Sequence, residues 1–348
     1  MFNNFPTWSV FLIYAVLAAG IVFFSKKLAD YVDALDKKTK ISGAFIGAVL
    51  LAAVTSLPEL FTSISATLLV KDGEQLVIGN ILGSNLFNLA IVGVALVCFF
   101  RLFAKSKIEY KTQYTVITAC LIIYGIIAYG ICAPSNAQPV LGPINFIALL
   151  IFVVYGLAIF LQPKNKSEGE EEKKDPLPSL SVKQVIVRFV IFAVLLVVTS
   201  IFITYATDAI SDKLFNGDDT IAGAIFLAIA TSLPELTSTF VLCKKGNFNA
   251  AMGDITGSCL FNFLIIGIAE FLSFRTSLLR GYSPDYRSAI IMLICTVVVL
   301  LVLLTILLIN HNAQKKEKQE SKLRYAIFAA SGVIITAGYI VFLVLSNI

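Results

Sequence analysis

Apolar runs of about 20 residues recur along the chain, each long enough to cross a ~30 Å hydrocarbon core as an α-helix. They fall near residues 7 to 25, 42 to 70, 76 to 100, 113 to 133, 143 to 161, 184 to 207, 220 to 243, 250 to 274, 287 to 310 and 324 to 346. The pattern predicts ten membrane-spanning helices. It breaks for longest at residues 163 to 183, PKNKSEGEEEKKDPLPSLSVK, where charge clusters and Pro163, Pro176 and Pro178 replace the apolar run. Such a composition cannot bury a core and reads as a flexible linker. The chain thus divides into residues 1–162 with spans 1–5, a cytoplasmic linker at 163–183, and residues 184–348 with spans 6–10.

Composition agrees: 58% of residues are hydrophobic and 14% charged, and the mean hydropathy is +0.87. This excludes an ordinary soluble domain. With ten spans, 22 of the 27 Lys and Arg residues fall in loops on one side of the membrane and 5 on the other. The basic side faces the cytoplasm, so both termini are expected outside, in the plasma (cytoplasmic) membrane. Orientation accounts for the net charge of +5 without a nucleic-acid partner. No basic residue precedes the first apolar run, while Lys26 and Lys27 follow it, so it reads as a retained span. The charged stretch 315–324 reads as a solvated cytoplasmic loop. The six cysteines show no CxxC spacing and read as small packing residues, and His311 has no assigned role. No phosphate-binding glycine loop marks an ATP-driven pump.

Two polar motifs interrupt the apolar pattern, and each occurs twice. Thr55-Ser56-Leu57-Pro58-Glu59-Leu60 recurs as Thr231-Ser232-Leu233-Pro234-Glu235-Leu236. Downstream, Gly79-Asn80-Ile81-Leu82-Gly83-Ser84-Asn85-Leu86-Phe87-Asn88 corresponds to Gly253-Asp254-Ile255-Thr256-Gly257-Ser258-Cys259-Leu260-Phe261-Asn262. Each unit has five spans, an odd number, so the second enters the membrane in the opposite sense. The expected fold is an all-α polytopic membrane protein of ten helices, two inverted five-helix repeats with helices 2 and 7 broken, and a polar site between the repeats.

Proline lacks an N–H and clashes with the carbonyl four residues earlier. Pro58 is therefore expected to free the carbonyls of Val54 and Thr55, and Pro234 those of Ala230 and Thr231. Freed backbone groups at membrane depth need partners, and a desolvated cation is one. Glu59 shares a helix face with Thr55 and Ser56, as Glu235 does with Thr231 and Ser232. The next span of each repeat carries a polar stripe at four-residue spacing: Asn80, Ser84 and Asn88, then Asp254, Ser258 and Asn262. Gly79 with Gly83, and Gly253 with Gly257, permit close helix approach. A set of carboxylate, amide, hydroxyl and carbonyl oxygens suits calcium or sodium better than zinc or copper. Nothing points to an enzyme or a cofactor. Gly253-Asp254 alone hints at an intramembrane aspartyl protease, and no second aspartate stands in a matching motif.

These residues resemble the alpha repeats of the cation/calcium antiporter superfamily, above all its sodium/calcium exchanger branch. Its signature is a GTSLPE-like segment followed by GNxxGSNxxN or GNxxGSNxxD. The resemblance implies that Glu59 and Glu235 are the central cation ligands. Ser56, Ser84, Asn88, Ser232, Ser258 and Asn262 would ring them, with backbone oxygens from Thr55, Thr231, Ala52 and Ala228. It also implies that spans 1 and 6 slide across this core. The chain departs from the signature at Val54 and Ala230 (glycine in the family), at Cys259 (asparagine), at Asp254 in the GN pair, and at Asn262, where many relatives carry aspartate. These departures bear on stoichiometry and counter-ion, and Asp254 stands between ligand and support.

Two carboxylates close together at low dielectric need a positive charge. A site that crosses the membrane only when loaded exchanges ions instead of leaking them. The expectation is a secondary antiporter that extrudes calcium using inward sodium, with the bilayer and the two cations as its partners. A proton/calcium antiporter is the alternative. A cation channel, more distant, would conduct without a counter-ion.

Overall fold

The computed structural model describes residues 2, 5–69, 74–106, 108–132, 140–141, 144–163, 177–215, 221–273, 278–279, 287–315 and 322–345. Most of the expected linker, residues 164–176, and 316–321 of the charged loop lie outside this set.

The first expected span is the helix α1 (Thr7–Lys38). At 32 residues it extends well past the predicted end at 25, because Asp30, Asp33 and Asp36 find partners beyond the apolar stretch. Lys37 pairs with Asp33 at 2.6 Å and Lys245 with Asp30 at 2.5 Å. The Asn247 amide donates to Asp33 at 3.0 Å and to Asp36 at 3.1 Å. The second span is composite: α2 (Gly43–Ile46), a π-turn at Gly47–Leu51, α3 (Ala52–Thr55) and α4 (Leu57–Leu69). There follow α5 (Glu74–Lys105), α6 (Tyr110–Cys132), a two-residue antiparallel pairing of β1 (Val140–Leu141) with β2 (Ile144–Asn145), and α7 (Phe146–Leu161). The second half comprises α8 (Val182–Phe215), α9 (Ile221–Lys244), α10 (Phe248–Leu272), α11 (Arg287–Lys315) and α12 (Lys322–Leu345).

Among the described residues, seven helices are long and apolar enough to cross a membrane, and the α2–α4 pair, bent by 42°, makes an eighth if taken as one span. Expected span 5 corresponds to α7, an apolar helix of 16 residues, and expected span 7 to α9, of 24 residues.

The break expected in helix 2 is present. Ser56 sits at φ −88°, ψ 6°, outside helical geometry, between α3 and α4. The break expected in helix 7 is absent: α9 runs unbroken from Ile221 to Lys244 with Pro234 inside it. Proline removes one hydrogen bond, and a helix packed on its neighbours tolerates that loss. In the first copy a second disturbance precedes the proline. The π-turn inserts a residue into the ladder, and the Thr55 hydroxyl then donates to the carbonyls of Leu51 and Ala52 (3.1 and 3.3 Å).

Helix α10 is the centre of the molecule, packed against α2 through α7 and α9, and Met252 through Leu260 are all buried. Its close crossing over α2 and the π-turn depends on glycine. A Cβ at Gly253 would collide with the carbonyl of Ala44, one at Gly257 with that of Ala48, and one at Gly47 with that of Ala250. At the matching glycines of α5, among the described residues, nothing lies within 4 Å of a Cβ at Gly79, and Met292 Sδ is 3.6 Å from one at Gly83. The stretch of the second repeat that corresponds to Ala44–Ala48, residues 220–224, lies outside the residues whose side chains are described. Around this core α1 lies along α8, and both touch α9, while α12 lies along α5.

Candidate cation site

The two glutamates are brought together at the core. Glu59 enters on the first turn of α4, just past the break, and is 1% exposed; Glu235 follows Pro234 in α9 and is fully buried. Glu59 has the Glu235 carboxylate and the Thr231 hydroxyl as its electrostatic neighbours. The two halves interlock through hydroxyls. Ser56 Oγ of the first donates to Glu235 Oε1 of the second at 3.3 Å. Thr55 Oγ1 reaches Ser258 Oγ at 3.3 Å and Asp254 Oδ1 at 3.4 Å.

Much of the oxygen in this cluster has no hydrogen-bond partner among the described residues. Among the described residues, both carboxylate oxygens of Glu59, Oε2 of Glu235, Ser232 Oγ, Asn88 Oδ1 and Asn262 Oδ1 are buried without a hydrogen bond of normal geometry, the Thr231 hydroxyl lying near Glu59. Among the described residues, neither glutamate is ion-paired with a Lys or Arg; the ion pairs belong to the aspartates of α1. A buried carboxylate without compensation costs several kcal/mol, about as much as the whole stability of a typical domain. Native proteins do not leave such oxygens orphaned without a use. A hard cation is one group that would satisfy two carboxylates and a ring of amide and hydroxyl oxygens.

Asp254 behaves differently. Ser238 Oγ donates to its Oδ2 in a short hydrogen bond and Thr55 Oγ1 approaches its Oδ1, so both oxygens are already engaged. Among the described residues no three carboxylate, thiol or imidazole groups gather as a metal-holding cluster, though Asp254 has the Glu235 carboxylate as an electrostatic neighbour. Its repeat counterpart Asn80 makes a related contact one position on, donating from Nδ2 to Ser63 Oγ at 3.5 Å, where Ser63 corresponds to Thr239.

Of the other expected ligands, Ser84 is buried on α5 one turn before Asn88, and no hydrogen bond joins either to the glutamates. Ala52 is buried, and its carbonyl accepts from Ser56 N at 3.1 Å as well as from Thr55. Ala228 lies within α9, and its side chain is outside the described set. Two residues of the site were not singled out from the sequence. Ser238, the partner of Asp254, had only its position one turn after Glu235 to mark it. Asn85 bonds across the halves to Cys259 and Asn262, and its only signal was its asymmetry with Cys259 in the repeat alignment.

This helical architecture is that of a solved membrane transporter. It superposes on the sodium-calcium exchanger NCX_Mj, soaked with 10 mM Na+ and zero Ca2+, with a TM-score of 0.67 and 18% identity over 96% of this chain and 97% of that one. Among curated relatives, the sodium/calcium exchanger MaX1 of Methanosarcina acetivorans is 25% identical over 297 residues, 74% of this chain and 82% of that one. The inner membrane protein YrbG of Escherichia coli is 24% identical over 292 residues, 81% and 88% of the two chains. The sequence model of the sodium/calcium exchanger protein family matches residues 9–162 and 184–347. The chain belongs to that family.

Proposed function

We propose that the protein exchanges calcium for sodium across the cytoplasmic membrane, extruding calcium, with Glu59 and Glu235 as the shared ligands of the transported ion. The observation that carries this reading is the buried glutamate pair, three of whose four oxygens find no hydrogen-bond partner among the described residues. Thr55, Ser56, Thr231, Ser232, Ser84, Ser258, Asn88 and Asn262 ring the pair, the carbonyls of Ala52 and Ala228 close it, and Asp254 supports it through Thr55. In this reading the chain crosses the membrane ten times as two inverted five-helix repeats joined by the 163–183 linker. The recurring motifs and the two stretches of the family match support that organisation.

Calcium, or monovalent cations in its place, neutralises the glutamates. The loaded site can then move across the membrane interior at far lower cost than the empty one. That difference couples the two ions and gives alternating access at a site between repeats. Sodium is the preferred counter-ion because the SLPE segment in both copies resembles the sodium-using branch.

The test is counter-ion dependence. Calcium-loaded proteoliposomes should release calcium when external sodium is supplied at fixed pH. Release driven by a pH gradient and indifferent to sodium would establish proton/calcium exchange instead, and flux with no counter-ion would establish a channel.

Orientation is tested separately. With 22 of 27 basic residues on one side, both termini face out and the linker faces the cytoplasm. A cysteine placed by Glu168→Cys in a background lacking the native cysteines should react with a membrane-impermeant maleimide only after the cell is opened. Labelling in intact cells would contradict the ten-span arrangement.

A further inference from the structure

We propose that Asn85 is a positioning residue: it clamps the Asn262 carboxamide with its oxygen turned toward the cation, and the protein builds this clamp in one half only. The inference rests on the reading of Asn262 as a cation ligand.

Three buried hydrogen bonds carry it. Asn85 Nδ2 donates to the Cys259 carbonyl at 3.2 Å. Asn262 Nδ2 donates to Asn85 Oδ1 at 2.8 Å. Cys259 Sγ lies 3.8 Å from the Asn85 carbonyl, a weak thiol donor closing the loop. The polarity of this chain is fixed by its first member. A backbone carbonyl can only accept, so the Asn85 nitrogen must face Cys259 and its oxygen must face Asn262. Asn262 is then obliged to present its nitrogen to Asn85, and its Oδ1 is left buried and unbonded. An amide that turns freely could offer a cation its nitrogen, which repels it. Asn262 cannot.

The other half lacks the device. In the repeat alignment Asn85 corresponds to Cys259 and Asn262 to Asn88, so the residue that would clamp Asn88 is a cysteine. A thiol is a weak donor and a weak acceptor, and Asn88 Oδ1 is likewise buried and unbonded, while no hydrogen bond holds its nitrogen among the described residues. The α10 amide is pre-organised by its neighbour; the α5 amide gives up its rotational freedom when the ion binds. Departure from the family's asparagine at 259 therefore leaves one ligand of the pair untethered.

The experiment measures the KM for calcium in sodium-driven exchange, with calcium affinity by titration calorimetry on purified protein and thermal stability as a folding control. Asn85→Ala should raise KM and Kd about tenfold, the cost typical of removing a group that orients a metal ligand. Its maximal rate should stay within about twofold, since the ligands themselves remain. The exchange variant Asn85→Cys, Cys259→Asn moves the clamp to Asn88 with the total volume conserved, and should recover most of the lost affinity. Asn262→Ala serves as reference and should raise KM at least as much as Asn85→Ala. If Asn262→Ala raises KM while Asn85→Ala and Asn85→Cys do not, the clamp is wrong and the site stands. An unchanged KM in Asn262→Ala removes the ligand and the clamp together. A folded exchange variant with affinity no better than Asn85→Cys would assign Asn85 a packing role and overturn the proposal; if Asn85→Ala fails to fold, this comparison decides alone.

Discussion

Glutamine at position 59 or at position 235 is expected to abolish calcium exchange and leave a folded protein. Each glutamate is within 1% of complete burial, and each faces the other across the interface between the halves. Glu→Gln preserves shape and one oxygen while removing the charge that a divalent ion needs. Removing one partner of a buried charge interaction costs about 3–5 kcal/mol, which is at least a hundredfold in affinity. Folding should not suffer, because a neutral amide is cheaper to bury than an unpaired carboxylate. Calcium flux in proteoliposomes reads the loss, and a thermal-shift profile equal to or better than that of the parent shows that the fold survives.

Thr55→Val should produce the second largest effect, and its conservative counterpart should rescue it. The Thr55 hydroxyl stands where α3 ends, within 3.1 to 3.4 Å of four oxygens: the Leu51 and Ala52 carbonyls, Ser258 Oγ and Asp254 Oδ1. It is the link between the broken helix and α10. Valine has the same shape and no hydroxyl, so the break loses its tether while packing is kept. The expected result is a rise of about tenfold to a hundredfold in the KM for calcium. Thr55→Ser, which restores the hydroxyl, should return to within a few-fold of the parent value. Equal impairment in the valine and serine variants would mean that the methyl group, and not the hydroxyl, matters at this position.

The broad plan was legible because the bilayer leaves the sequence few choices. Long apolar runs must be helices, and two glutamates in identical contexts at membrane depth demand a reason. The expected spans coincide with helical segments, and the glutamates do meet. What could not be read was how far the two copies differ in space. Pro58 and Pro234 sit in the same six residues, yet α9 runs on through Pro234 while the first copy is broken at Ser56, with a π-turn preceding the break. Gly79-x-x-x-Gly83 and Gly253-x-x-x-Gly257 look alike in sequence, and nothing in it told that the second would carry a backbone crossing over Ala44 and Ala48. That Asp254 would meet Ser238 and Thr55 was likewise not legible, because both contacts form only in the folded helices. The role of Asn85 exists only across the interface, where two residues 174 and 177 positions away become its neighbours.

The most direct test of the account is calcium release from loaded proteoliposomes into sodium-containing buffer at constant pH, comparing the parent protein with the Glu59→Gln, Glu235→Gln double variant at equal reconstituted amount. The paired-glutamate site predicts sodium-dependent release by the parent and release at the level of empty liposomes by the double variant. Sodium-dependent release by the double variant at the parent's rate would contradict it.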